Sequence, residues 1–347
     1  MWVLTSCSQS FSAPTTVSQA TSNLSQAGST SELNVLSAID PGLIEYQAKS
    51  VVIDTRTGAI GSNRSGYQSV GFQRYSSNLI IYGILMRNIS SIDAGLKVAE
   101  YAFTYQNQDG SFKDASKKTG VSTPTSVAFF LQDLGHSLLL CQQSSWFQTS
   151  PKTANVRRRL NNLQAPTNRS TNWLLGKQRE LLQSDGAGRA TNRLFFDALA
   201  FYLTGKALRI NQAVSVGERF ARSALEQQSG AGFFLEKQGQ DTSYQGVSLN
   251  KALVLLTNLK PGADLRTSLL QAIQRGVNWQ LPFILPTGEI STTGNSRVYP
   301  GGETYQGKEK KVDYLASVLA LSYYSVVSGN QDARNTANRI LAFYQTN

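Results

Sequence analysis

One histidine, two cysteines and two methionines are all that 347 residues supply of imidazole and sulfur chemistry. A protein zinc site draws mainly on Cys and His, so this chain has few ligands for one, and neither a metal nor a cofactor is expected. Charge is also sparse. Charged residues make up 16% of the chain and hydrophobic residues 40%, which describes a globular chain rather than a disordered one. No apolar run reaches the ~20 residues that a membrane-spanning helix requires. Acidic residues are the scarcer sign: 22 Asp plus Glu against 33 Lys plus Arg give a formal net charge of +11. That surplus favours a polyanionic partner such as an acidic polysaccharide, a nucleic acid or an anionic membrane. The basic residues are scattered, and their densest cluster, Arg157-Arg158-Arg159, reads as a solvated helix face. No basic and aromatic interleaving accompanies it, so no nucleic acid is expected.

The two cysteines differ in their surroundings. Cys141 follows Leu138-Leu139-Leu140 and reads as a buried thiol. Leu4-Thr5-Ser6-Cys7 resembles a bacterial lipobox, in which the cysteine is lipidated. Met1-Trp2-Val3 is too short for a charged region plus a complete apolar region, so the expectation is a truncated lipoprotein-like signal. Residues 8–31 are rich in Ser, Thr, Gln and Ala and nearly uncharged, which suits a flexible tether. Residues 1–31 are therefore set apart from a single domain over 32–347. The expected location is the bacterial cell envelope or periplasm, with lipid anchorage through Cys7.

Within that domain, five glycine-centred turns recur: Thr57-Gly58-Ala59-Ile60-Gly61, Asp109-Gly110-Ser111-Phe112, Asp185-Gly186-Ala187-Gly188, Gly230-Ala231-Gly232-Phe233-Phe234 and Thr287-Gly288-Glu289-Ile290. Each precedes an apolar helical run and then a more charged one. The spacing predicts helix pairs over 76–88 and 92–106, 124–142 and 154–183 (broken at Pro166), 192–208 and 212–227, 242–259 and 264–280, and 311–327 and 332–345. First helices are apolar nearly all round, as in Leu194, Phe195, Phe196 and the run from Ala198 to Leu203, which requires burial on every side. Second helices are amphipathic, as in Val216, Phe220 and Ala224 against Glu218, Arg219 and Arg222. Buried first and half-exposed second is the pattern of an inner and an outer ring. The fold class is therefore all-α, an incomplete α/α toroid of five to six pairs with hairpin-like glycine turns. An open superhelical solenoid is the competing arrangement.

Polar residues collect where inner helices begin: Asn63-Arg64, Asn192-Arg193, Asn295-Ser296-Arg297, and Asp241-Thr242-Ser243-Tyr244-Gln245. Each fits an N-cap or turn role. As a set, at helix N-termini that point one way, they suit an anion-binding mouth. His136, the sole histidine, lies on an apolar inner helix and suits either a core role or general-base work. Asp133, three residues earlier, is placed to fix its tautomer or to cap a neighbouring turn.

In arrangement and residue type, residues 46–344 resemble the polysaccharide lyases and related carbohydrate-active enzymes built on an incomplete α/α toroid. Those lyases neutralise a uronate carboxylate with Asn and often Arg, remove the adjacent proton with His or Tyr, and protonate the leaving oxygen with Tyr. The resemblance implies catalytic roles for Tyr244, His136 and Asn192. It implies substrate contacts for Arg193, Asp241, Gln245, Arg297 and Tyr299. The chain departs from the alginate-lyase pattern in placing Arg193 where an Asn-Asn-His motif has His or a second Asn. Residues 106–112 are also similar to the repeated turn of prenyltransferases and terpene cyclases, but no aspartate-rich diphosphate motif accompanies them. A glycoside hydrolase would need two facing carboxylates. Asp185, Asp241, Glu236, Glu289 and Glu303 are candidates without a visible pairing. A non-catalytic glycan-binding or export lipoprotein is the third possibility.

Overall fold

Several helices begin where the sequence supplies a capping side chain. In a computed structural model describing residues 31–185, 190–237, 239–305 and 307–346, Ser31 and Asp40 cap α1 (Glu32–Ala38) and α2 (Pro41–Ser50). Thr123 accepts from the Ser126 N–H to start α5 (Pro124–Gln143), with proline at its first position. Asp241 caps α12 (Thr242–Asn258), and Asp313 caps α14 (Tyr314–Ser328). The other long helices are α3 (Ser76–Leu85), α4 (Ile89–Phe103), α10 (Thr191–Leu208), α11 (Asn211–Glu226), α13 (Asp264–Gln280) and α15 (Gln331–Thr346). Cys7, residues 8–30 of the expected tether, the side chain of Asp185 and the glycine turn after it lie outside the described residues, whereas Ser31 belongs to the start of α1.

The chain is an α/α toroid. Helices α2, α3, α5, α10, α12 and α14 pack side by side as the inner ring. A 2.8 Å hydrogen bond between the Tyr46 and Tyr314 hydroxyls spans the gap between the first and last. The ring closes, and the open solenoid is set aside. Outer helices α4, α11, α13 and α15 each pack on the inner helix that precedes them. The remaining outer position is built from α7 (Ala154–Asn162), α8 (Gln164–Gly176) and α9 (Gln178–Asp185), after the short α6 (Ser145–Thr149).

Burial follows the periodicity. On α10, Leu194, Phe195, Ala198 and Leu199 are buried, as are all residues from Ala200 to Leu203. Up to Leu203 the partly exposed exceptions are Arg193 and Phe196, three apart on one face. On α11 the buried stripe is Ala213, Val216, Gly217, Phe220, Ala221 and Ala224, with Glu218, Arg219 and Arg222 outside it.

Two local expectations change. Pro166 does not break a long helix; it sits in the first turn of α8, where its missing N–H costs no intrahelical bond, and the breaks fall at Leu163 and Lys177. The arginine triplet is not simply a solvated face. Arg159 pairs with Glu100 at 2.7 Å and with Asp93, and Arg157 donates to the Phe147 and Ser150 carbonyls.

The glycine turns lock the outer ring. Gly110 and Gly288 have φ of +93° and +98°. A Cβ on either would lie 2.3 Å from the Arg169 carbonyl oxygen or 2.2 Å from that of Arg339. Gly58 and Gly232 repeat the contact against Lys97 and Arg275. Each of these turns is closed by a small bridge, Ile53 with Ile60, Gln106 with Phe112, Gln228 with Phe234 and Ile284 with Ile290. Replacing Gly288 by alanine is expected to lower stability by at least about 1 kcal/mol in urea titration, because both the dihedral and the space are lost. Gly176→Ala, which meets nothing within 4 Å, is the control and should cost nothing.

Candidate active site and its charged rim

The inner ring encloses a cavity of about 770 Å³. It opens at the inner-helix N-termini, where the segments before α3 and α14 contribute Arg64, Arg74, Tyr75, Tyr305 and Asp313. Its walls come from one face of each inner helix: Asn78 and Ile81 on α3, Gln132 and His136 on α5, and Val247, Asn250, Lys251 and Val254 on α12. On α14 the same face carries Leu315, Leu319 and Tyr323. Helix α1 closes the far end, packed against α5, α12 and α14, with Leu36 in the lining.

Among the described residues the lining holds three basic side chains, Arg64, Arg74 and Lys251, and one carboxylate, Asp313. Lys251 Nζ donates to Gln132 Oε1 at 3.2 Å and lies 5.0 Å over the Phe196 ring. Burial lowers the pKa of this amine; Asp133 opposes that fall and Arg74 adds to it. The Arg74 guanidinium sits 5.0 Å over Phe129 and 5.2 Å over Tyr75. Tyr75 is exposed at the mouth with φ of +78°, a left-handed conformation that an aromatic residue rarely takes and that recurs at ligand sites.

Below the cavity, His136 Nε2 lies 2.8 Å from Glu32 Oε1 on α1. The same oxygen accepts from the Tyr323 hydroxyl at 3.0 Å, and Oε2 accepts from Asn258 Nδ2 at 2.6 Å. Of the two readings of Asp133, the structure shows the cap: it accepts from the Ser76 and Ser77 hydroxyls and the Ser77 N–H at the start of α3.

Most other sequence-derived candidates fall in a second cluster that does not line the cavity. Arg297 donates to Glu236 Oε2 and to Glu303 Oε1, each at 2.7 Å. Its guanidinium stacks 3.9 Å over the Tyr244 ring. Tyr244 donates to Glu303 Oε2 at 2.9 Å, and Lys310 donates to the Tyr244 oxygen. The Asn192 N–H donates to Glu236 Oε1 at 3.2 Å. Asn192 Oδ1 and Arg297 Nε are buried without hydrogen-bond partners.

Two candidates serve the backbone instead of facing a ligand. Asp241, fully buried, accepts from the N–H groups of Ser243, Tyr244, Arg297 and Val298. Gln245 accepts from the Phe234 N–H and donates to the Gly276 carbonyl. Tyr299 is exposed outside the cavity, and Arg193 is partly buried on α10. Of the eight candidates only His136 reaches the lining. Lys251, Arg74 and Glu32 went unnoticed in the sequence. For Lys251 the signal is a lone cation in an inner helix with no other charged residue.

The rim carboxylates titrate in opposite senses. Burial raises Glu236 to about 7, against the charge and hydrogen bond of Arg297. Burial also pushes Glu303 up, but bonds from Arg297 and Tyr244 and the charges of Arg297 and Lys310 outweigh it and hold it at about 2. Burial raises Tyr244 as well, with Arg297 opposing.

No family model and no curated protein sequence match this chain. Among solved structures, D-mannose isomerase superposes with a TM-score of 0.53 at 9% identity, covering 96% of this chain and 88% of that one. The toroid fold is shared. Unsaturated glucuronyl hydrolase from Bacillus sp. GL1 aligns over 74% of this chain and 73% of that chain at 13% identity, with a TM-score of 0.48. At such identities the first match speaks for the toroid architecture alone.

Removing Arg297 leaves Glu236 buried and unpaired, so Arg297→Met is expected to cost about 3–5 kcal/mol. A folded-state pKa above the unfolded value means the folded toroid binds more protons, and this group's contribution to stability falls as pH rises from about 4.5 to about 7. Loss of Arg297 steepens that fall. The variant's deficit in urea titration should be larger at alkaline pH than near pH 5, and a pH-independent deficit would refute the pairing.

Proposed function

We propose that the toroid is a carbohydrate-active enzyme that takes an acidic, uronate-containing glycan into its cavity and cleaves it by β-elimination. One observation carries the proposal: three basic side chains and a single carboxylate line a concave, half-apolar site at helix N-termini. Burial disfavours the charged form of Lys251, and the nearby Asp133, Asp313 and Glu32 carboxylates only partly offset it, so these walls favour a ligand that brings negative charge.

The chemistry follows from the positions. Arg74 and Lys251 hold and neutralise the uronate carboxylate, which acidifies the neighbouring C–H. His136 accepts that proton, and the Tyr305 hydroxyl at the mouth donates to the departing oxygen. The C–H electrons form the new double bond as the C–O bond breaks, and no water is consumed. A two-carboxylate hydrolysis has less support, because Asp313 has no second lining carboxylate among the described residues to face it. Glu236 and Glu303 are both tied to Arg297. Proton transfer on a free sugar is a second reading, favoured by the closed floor under His136. The lipobox-like Cys7 extends the proposal to a lipid-anchored protein of the bacterial cell envelope.

Incubation with a panel of acidic polysaccharides should give ultraviolet absorbance from an unsaturated uronate product. New reducing ends without that chromophore would point to hydrolysis instead. Lys251→Met should weaken binding of an acidic oligosaccharide about 10- to 100-fold in calorimetry, the worth of a charged hydrogen bond. Equal affinity for acidic and neutral oligosaccharides in the unaltered protein would remove the basis of the proposal.

A further inference from the structure

We infer that Glu32 is the positioning residue for His136, holding the neutral ring with its proton on Nε2 and leaving Nδ1 as the proton acceptor. The inference deepens the proposed reaction but stands on its own geometry. Helix α1 belongs to neither ring; it is a seven-residue plug against α5, α12 and α14. A glutamate at its first position would favour the helix dipole equally well if exposed. Glu32 is instead fully buried, a placement that costs several kcal/mol unless its oxygens are satisfied.

They are satisfied by three donors from three different inner helices. Asn258 Nδ2 donates to one oxygen, and the Tyr323 hydroxyl and His136 Nε2 meet the other. An ionised carboxylate is acceptor-only, so each partner must present hydrogen to it. For Asn258 the orientation is independently consistent, because its Oδ1 accepts from Gln143 Nε2 at 3.4 Å. For His136 the consequence is chemical. The tautomer of a neutral imidazole is set by the bond that one nitrogen makes, and a carboxylate at 2.8 Å requires N–H there. The carboxylate also stabilises the imidazolium that forms when Nδ1 takes a proton, as in other acid–histidine pairs. Glu32 and His136 are 104 residues apart in the chain.

His136 is the sole histidine, so its ring can be read directly in the full chain without an affinity tag. Long-range proton–nitrogen correlation spectra of ¹⁵N-histidine-labelled protein, at a pH where the ring is neutral, should show the Nε2–H tautomer in large excess. In Glu32→Gln the amide offers one acceptor and its own donors, and that excess should disappear; Glu32→Asp should restore part of it. A wild-type ring protonated on Nδ1, or a tautomer ratio unchanged in Glu32→Gln, would overturn the inference. If the variant does not fold, the wild-type spectrum alone still decides. Where turnover of an acidic glycan is found, Glu32→Gln should lower kcat by about 10²- to 10⁴-fold with KM nearly unchanged. An unaltered kcat would overturn the positioning role. An Nε2–H ring lost in the variant, without turnover of any glycan, upholds the inference and removes only the proposed reaction.

Discussion

A helix with no polar face has to be surrounded, and the rest of this structure depends on that constraint. Helix α10 buries nearly every side chain from Leu194 to Leu203, so neighbours must cover it on both flanks and behind. Flanking contacts propagate into a ring, and the outer helices supply the cover behind. Only the inward face remains, and a closed ring of six helices is too wide for side chains to fill it. The cavity is what is left when every other face has been buried.

Charge inside such a shell is expensive, and the protein handles it in two ways. At the rim the charges are paired: Arg297 lies between Glu236 and Glu303, and Lys310 lies 3.7 Å from Glu303. Removing one partner there damages the fold, because the other charge stays buried. In the cavity Arg74 and Lys251 meet aromatic rings and an amide oxygen. Contacts of that kind stabilise a cation by about 0.5–2 kcal/mol, less than burial removes. The deficit is offset by whatever anion enters, and bound anion should therefore add to stability by mass action. Rim and cavity thus divide the work: one holds the inner-helix starts in place, and the other stays electrostatically incomplete.

The sequence made the ring legible because its signal is periodic. Apolar-all-round helices alternating with amphipathic ones, separated by glycine turns, admit few arrangements, and the predicted pairs match the observed helices closely. The turns were read as markers of a mouth, yet Gly58, Gly110, Gly232 and Gly288 press against carbonyls of outer helices. The candidate site was much less legible. Asn192, Tyr244 and Arg297 were correctly grouped at inner-helix starts, but grouping does not tell which way a side chain points. Tyr244 and Arg297 bond to Glu236 and Glu303, Asn192 gives its backbone N–H to Glu236, and none of the three lines the cavity. Lys251 and Arg74 reach it because of helix phase and loop course, which no local motif encodes.

Glu32 shows the limit of such reading most sharply. In sequence it is an ordinary acidic residue in the first turn of a short helix, where the dipole alone accounts for it. Nothing near it in the chain indicates that α1 will fold back beneath the ring, because the plug is specified by the hole it fills. Three inner helices present His136, Asn258 and Tyr323 toward one point, and only an acceptor-rich group can occupy that point without leaving donors unpaired. The floor of the cavity and the state of its one imidazole are therefore decided by the same two oxygen atoms. A substitution at residue 32 consequently acts on both the closure of the ring and the chemistry above it, and the two effects separate only when the ring of His136 is observed directly.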